Sequence, residues 1–408
     1  MSITERLFGR KESRRARRQR PGSSEPGRPL HVLFELPSLE PCERSRAMLA
    51  LLRRLDRERF RFSTATVAGD GALEPQLREL GVGTHVLGGE GGGYQELLAD
   101  DAVDLVVSVG STFGLPLTSE AGVAHLHVFD SGAAVHLDTS KATKPLLREL
   151  ERVVAVSPTV AELARRRYRI RPERLQLVPA GVEVEAVGTA TAAARAEARR
   201  SLDLADDALV FLSLGDFEVG TGHLLAIAAL ERVLQRHPKA FLLCAGDPTD
   251  SQYLERCRGL ASKLPIRIER LDASSSTPAL LASSDFFVQP VGIDGLRRAT
   301  LEAVARGLPL VAPNGADVRD LLGEPSSGVV FNERVNWARR KKALAALREP
   351  TAEAAVTLAN ALGRACREAE DLKSAAASGA GRSVVESAYG IEAIARIFEG
   401  VFLAAWSA

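Results

Sequence analysis

The chain has 408 residues, 45% of them hydrophobic and 26% charged, with 53 basic against 52 acidic residues and a net charge of +1. That composition excludes a wholly disordered chain, a collagen-like repeat and a disulfide-stapled miniprotein, and the length suits two or three domains, each able to bury a full core. The balanced charge provides no global field for nucleic acid, and the preference for arginine over lysine, 45 to 8, is read as the imprint of a GC-rich genome.

Residues 1–29 carry nine basic and three acidic residues and end in a Pro-Gly-Ser run. With so few apolar groups this segment is expected to be disordered. It is either a solvated tail or an electrostatic contact with an anionic inner leaflet, at about 1 kcal/mol per basic residue. From residue 30 the pattern alternates between strand and helix. Strands are predicted at 31–36, 61–67, 85–87, 105–109 and 124–129, with helices at 44–57 and 73–80 and a glycine-rich loop at 88–93. A strand at 151–156 leads to Ser157-Pro158, the signature of a helix N-cap followed by proline at the first helical position, and that helix runs to about Tyr168. A short strand at 175–178 closes the series.

A second series follows a polar helix at 191–202. Its strands are predicted at 209–214, 240–245, 266–271, 285–289, 309–312 and 328–331, and its helices include 222–236, 253–263 and 297–306. A long amphipathic helix spans 382–405. Such βαβ repeats predict parallel, doubly wound sheets, hence two similar α/β domains with a cleft between them.

Cys42, Cys244, Cys257 and Cys366 are dispersed without zinc-type spacing, so free thiols and no metal site are expected. No apolar stretch reaches 18 residues without a charge, and the N-terminus lacks the apolar core of a secretory signal. A cytoplasmic protein is expected, with the basic tail as its potential link to the inner face of the membrane.

Several segments, taken in chain order, resemble family 4 glycosyltransferases of the GT-B fold. Val178-Pro179-Ala180-Gly181-Val182-Glu183 is similar to the family's I-P-N-G-V-D, and Val154-Ala155-Val156-Ser157 to its I-A-V-S. Arg236-His237-Pro238 with Leu242 to Asp247 resembles H-P-x-x-x-L-x-x-x-G-D, and Leu280 to Pro290 resembles L-x-x-S-D-x-x-x-x-P. Asp294-Gly295 through Ala312 is similar to the carboxylate signature E-G-x(6)-E-A-x-A-x-G-x-P-V-V-A.

The resemblance implies a GT-B architecture: two Rossmann-like domains facing across a cleft, with a C-terminal helix crossing back to the first. Its division would be a tail at 1–29, an acceptor domain at 30–185, a donor domain at 186–381 and the crossover helix at 382–408. It implies transfer of a sugar from a nucleotide-sugar donor to a glycan or lipid-linked acceptor, without metal or cofactor. In that reading Asp294 contacts the donor sugar and Glu302 the ribose, while Gly295, Gly215 and the intervening helix N-terminus approach the diphosphate.

The chain departs from the pattern where phosphate is held. The family's G-R-x(4)-K-G reads Gly215-Asp216-Phe217-Glu218-Val219-Gly220-Thr221-Gly222, so Asp216 stands for arginine and Thr221 for lysine. Arg297 and Arg298 in the first turn of the following helix are the candidate replacements. In the first domain the family's G-G-A-E-R becomes Glu40-Pro41-Cys42-Glu43-Arg44, and its histidine corresponds to Asp130 or, with a register shift, His127. Asp294 and Asp130 are therefore the catalytic candidates. Glu43 and His127 are assigned to the acceptor side, and Thr221 to the donor side. A catalytically silent GT-B partner subunit is the alternative, and an enzyme of other chemistry, such as an epimerase, is a third reading.

Overall fold

The computed structural model describes residues 28–69, 71–88, 91–138, 141–189, 191–271, 277–323, 326–333 and 335–408. Of the segment 1–29 expected to be a disordered tail, residues 1–27 lie outside the described residues, as does the middle of the expected glycine loop, 89–90; Arg28 is instead held by Asp104 at 2.8 Å. Contacts divide the chain into two units, one running to Gly181 and resuming at Ile391–Ala408, the other Val182–Gly390.

In the first unit the described residues form a parallel sheet of seven strands: β1 (Leu30–Leu36), β2 (Phe60–Thr66), β3 (Gly83–Val86), β4 (Leu105–Val109), β5 (Ala124–Phe129), β6 (Arg152–Ala155) and β7 (Leu175–Leu177). Their order is β3-β2-β1-β4-β5-β6-β7, so the winding reverses between β1 and β4. The strands read as near-continuous apolar runs because helices cover both faces. Val32, Phe34 and Leu36 face one core, closed by Ile394, Phe398 and Phe402 of helix Ile391–Trp406. Leu33 and Val106 face the other, with Tyr94, Leu97 and Leu98.

The second unit repeats the plan among its described residues with β8 (Leu209–Leu214), β9 (Ala240–Gly246), β10 (Ile266–Arg270), β11 (Phe286–Val288), β12 (Leu310–Pro313) and β13 (Gly328–Phe331). The order β10-β9-β8-β11-β12-β13 places the reversal between β8 and β11. Asp285, just before β11, is a hub of this unit. It is buried and accepts from Val210 N–H at 2.8 Å, from Arg199 at 2.7 Å, Arg195 at 2.8 Å and Lys373 at 3.0 Å. Arg199, equally buried, spends its remaining N–H groups on the carbonyls of Ser283, Ala205, Asp206 and Ala208.

Two expectations need correction. The glycine-rich segment does not stay a loop throughout: Gly91–Asp100 is a helix, because Tyr94, Leu97 and Leu98 supply a helical apolar stripe that outweighs the glycines. Nor is the C-terminal stretch one helix. Ala380–Tyr389 stops at Gly390, whose backbone leaves the helical region, and Ile391–Trp406 begins anew. The break is fixed by a bridge between Gly390 and Val182, whose N–H donates to Tyr389 O at 2.9 Å. A Cβ at 390 would stand 2.7 Å from Glu386 O. The chain thus changes units at 181/182 and 390/391, against the expected 185/186 and 381/382.

One sheet face of the first unit carries a buried polar line. Thr118 Oγ1 donates to Leu115 O, so it accepts from His125 Nδ1–H at 2.8 Å. His125 Nε2 then accepts from Ser108, and Ser108 Oγ in turn accepts from His127 Nδ1–H, both at 2.8 Å. One fixed carbonyl sets every tautomer in the line. Burial lowers the pKa of His125 to about 3; burial lowers that of His127 to about 4, against the raising effect of Asp130 and Asp138.

Removing the hub should be severe. Asp285→Ala is expected to cost about 3–5 kcal/mol in urea unfolding of the full chain, since it strands a buried guanidinium. The histidine line predicts acid sensitivity. Both pKa values are lowered from the ordinary 6.5, so the unfolded chain takes up protons between about pH 6.5 and 4 while the folded chain does not. Stability present above that window is lost as pH falls through it. The drop in melting temperature between pH 7 and 5 should be smaller in His125→Gln than in the wild type.

Candidate functional site

Ligands of doubly wound sheets bind outside the strand C-termini where the winding reverses. In the second unit that place lies beyond β8 and β11. After β8 the chain turns at Gly215, whose φ of +154° suits glycine, and loops through Gly220 (φ +122°) and Gly222 (φ +89°) into helix His223–Val233. The loop is tied down. Phe217 N–H donates to Asp247 O at 2.7 Å, Thr221 N–H to Glu218 O at 3.3 Å, and the Thr221 hydroxyl to Asp216 O. Beneath it, His223 Nε2–H donates to Gly215 O at 2.8 Å while its Nδ1 accepts from Ser213 at 3.0 Å. Burial lowers its pKa to about 4; the Gly215 bond opposes this and the charge of Arg297 adds to it.

After β11, residues 289–297 lead into helix Arg298–Arg306. Buried Gln289 organises this loop: its amide donates to Val291 O at 3.1 Å and Gly295 O at 2.8 Å, and its oxygen accepts from the Thr300 hydroxyl at 2.6 Å. Gly295 adopts φ +69°, and Asp294 before it is buried. The helix N-cap, Arg297, makes no side-chain cap. Its guanidinium instead crosses to the other loop: a Cβ on Gly215 would lie 2.6 Å from Arg297 Nη2 and 3.0 Å from Thr221 Cγ2. Arg298 turns along the helix and donates to Glu302 at 2.7 Å.

The second unit therefore brings Gly215, Thr221 and Arg297 into contact and places Gly295 and Asp294 on the loop that presents the arginine. Glu302 lies one turn into the helix with one carboxylate oxygen held by Arg298. Asp216 is buried. The organising role of Gln289 was not visible in sequence, where it reads as the end of a strand.

In the first unit Asp130 follows β5 and forms an ion pair with Arg44. The Arg44 guanidinium covers Gly110, at φ +67° after β4, where a Cβ would stand 2.3 Å from Arg44 Nε. Glu43 opens helix Glu43–Leu52, whose N-cap Cys42 donates its N–H to Ser45 Oγ at 3.0 Å. His127 ends the buried polar line, within electrostatic reach of Asp130 and Arg44. Among the described residues no three His, Cys, Asp or Glu side chains cluster to hold a metal ion, and no helix is long and apolar enough to cross a membrane.

Residues 208–349 match the family described as Glycosyl transferases group 1. The D-inositol 3-phosphate glycosyltransferase of Actinosynnema mirum is 28% identical over 214 residues, covering 49% of this chain and 51% of its own length. That of Salinispora tropica is 26% identical over 211 residues, covering 48% and 43%. The match thus spans about half the length of these relatives. In overall fold, a glycosyltransferase from Rickettsia africae is similar with a TM-score of 0.71 at 15% identity, over 92% of this chain and 98% of that one. Anabaena Alr3699/HepE, solved with UDP and glucose, gives 0.70 at 14% identity over 92% and 100%. With its two doubly wound parallel units, the chain has the GT-B fold, and residues 208–349 of its second unit are similar to the Glycosyl transferases group 1 family.

Proposed function

We propose that the chain is a glycosyltransferase that moves a sugar from a nucleotide-sugar donor to a glycan or lipid-linked acceptor, with the donor diphosphate held by the second unit without a metal. One observation carries this reading: Arg297 brings a guanidinium against Gly215, on the turn that carries Asp216 and Thr221. As the anomeric C–O bond breaks, negative charge grows on the departing diphosphate. A planar fork of N–H donors and a helix N-terminus without a side-chain cap are suited to receive it.

Gly215 and Gly295 allow close backbone approach. Glu302, oriented by Arg298, accepts from ribose hydroxyls, and Asp294 accepts from the donor sugar. We assign Asp130, braced by Arg44, to the catalytic chemistry of the acceptor hydroxyl, and Glu43 and His127 to the acceptor. A lipid-linked acceptor also suits the nine basic residues of the N-terminal segment, which would favour the anionic inner face of a membrane in the cytoplasm.

A thermal-shift panel of UDP-, GDP- and ADP-sugars should reveal a stabilising donor. For that donor, Arg297→Ala should weaken binding roughly 10- to 100-fold, the worth of charge-assisted hydrogen bonds, with partial recovery in Arg297→Lys. Unchanged affinity in Arg297→Ala would remove the phosphate assignment. No response to any nucleotide sugar would favour the silent-partner reading.

A further inference from the structure

An apolar recess beside the Asp294 loop is lined by Leu225, Pro290, Val291, Phe331 and Ala354, among others, and among the described residues lining it Glu333 is the one ionisable side chain. Glu333 follows β13. Its Oε1 accepts Gly292 N–H at 3.0 Å and its Oε2 accepts the indole N–H of Trp337 at 2.8 Å. Position 292 is fitted to this contact: a Cβ there would stand 2.7 Å from Glu333 Oε2 and 3.1 Å from Pro313 Cβ. The elements packed around the carboxyl present Leu225, Val291, Ala346, Ala354 and Thr357 to the recess. Their charged groups lie outside its lining: Asp294 and Arg297 on the loop, and on the helices Glu231 and Arg232, Arg340, Lys341, Lys342 and Arg348, and Glu353, Arg364 and Arg367. Burial pushes the Glu333 carboxyl up to about 7, against the pull of its two N–H donors.

We propose that Glu333 is a positioning residue for the donor loop, whose carboxylate holds Gly292 N–H and thereby fixes Asp294, two residues on, and Arg297, so that donor binds more tightly when Glu333 is ionised. This rests on the donor-site reading given above. An ionised acceptor makes a hydrogen bond roughly twice as strong as a neutral one. Gln289 secures the far end of the same loop at Gly295 O, so the Glu333 contact sets the near end. His223 titrates far below neutrality and does not confuse the window.

Three measurements on the full chain test this. Without ligand at pH 8, backbone hydrogen exchange across 289–297 should be faster in Glu333→Ala than in the wild type, with Glu333→Gln between them; unchanged exchange in both variants overturns the proposal. In a Trp406→Phe background Trp337 is the sole tryptophan, and its emission should titrate near pH 7 and lose that transition in Glu333→Gln. An emission that is flat with Glu333 present overturns it as well. UDP-glucose, whose diphosphate diester keeps its charge between pH 6 and 8, should bind roughly fivefold more weakly at pH 6 than at pH 8, and equally at both in Glu333→Gln. Binding that is insensitive to pH in the wild type counts against the proposal. If UDP-glucose fails to bind at all while exchange and emission follow Glu333, UDP-glucose is not the donor and the positioning role stands.

Discussion

The seating of the Arg297 guanidinium on the bare backbone of Gly215 links the two loops at the winding reversal of the second unit. Each side of this contact has its own requirement. Gly215 lacks the Cβ that would stand 2.6 Å from Nη2, and its φ of +154° is one that other residues rarely adopt. Arg297 must leave the helix axis at the N-cap rather than bond back to its own first turn, which its extended backbone permits. Around this contact the β8 loop carries Asp216 and Thr221, and the cation comes from the β11 loop.

A guanidinium placed from a loop is only as well positioned as that loop. Here the 289–297 segment is held by buried polar groups rather than by apolar packing alone: the Gln289 amide reaches two carbonyls and the Thr300 hydroxyl, and Glu333 takes the Gly292 N–H. These bonds satisfy backbone groups that leave the sheet at the end of β11, where the ladder no longer does so. His223 plays the matching part under the β8 loop, bonding Gly215 O from one ring nitrogen and Ser213 from the other. The β8 loop thus rests on one polar side chain, His223, and the 289–297 loop on two, Gln289 and Glu333.

Strands and their parallel order were legible because buried runs such as Leu209 to Leu214 and Leu105 to Val109 admit little else. The carboxylate signature from Asp294 to Glu302 was legible because its spacing spans a loop and the first helical turn after it. The helix at Gly91–Asp100 was hidden by glycines whose local preference lost to Tyr94, Leu97 and Leu98 in the core. The break at Gly390 was hidden because the apolar period continues across it, and what decides it is a bridge to Val182, more than 200 residues away. Glu333 carries no local signal: it becomes notable only once folding sets it against Gly292 and Trp337. The destination of Arg297 was equally unreadable, since sequence fixes that a cation opens the helix but not which backbone it will cover.

The first unit contains the same device in a different setting, and the difference is informative. There Arg44, from the segment after β1, covers Gly110, the left-handed residue after β4, so a guanidinium again joins the two loops flanking the reversal. In the first unit the arginine also forms an ion pair with Asp130, a carboxylate from the neighbouring β5. A guanidinium that grips a carboxylate is partly spent as an anion receptor but is well used as a brace, because the bond fixes where the carboxylate points. A helix N-terminus without a side-chain cap, by contrast, adds its own N–H groups to whatever the arginine offers. The Arg297 loop runs into such a helix. One recurring contact thus sits in two settings: against an oriented carboxylate in the first unit, and on a loop that runs into a helix N-terminus without a side-chain cap in the second.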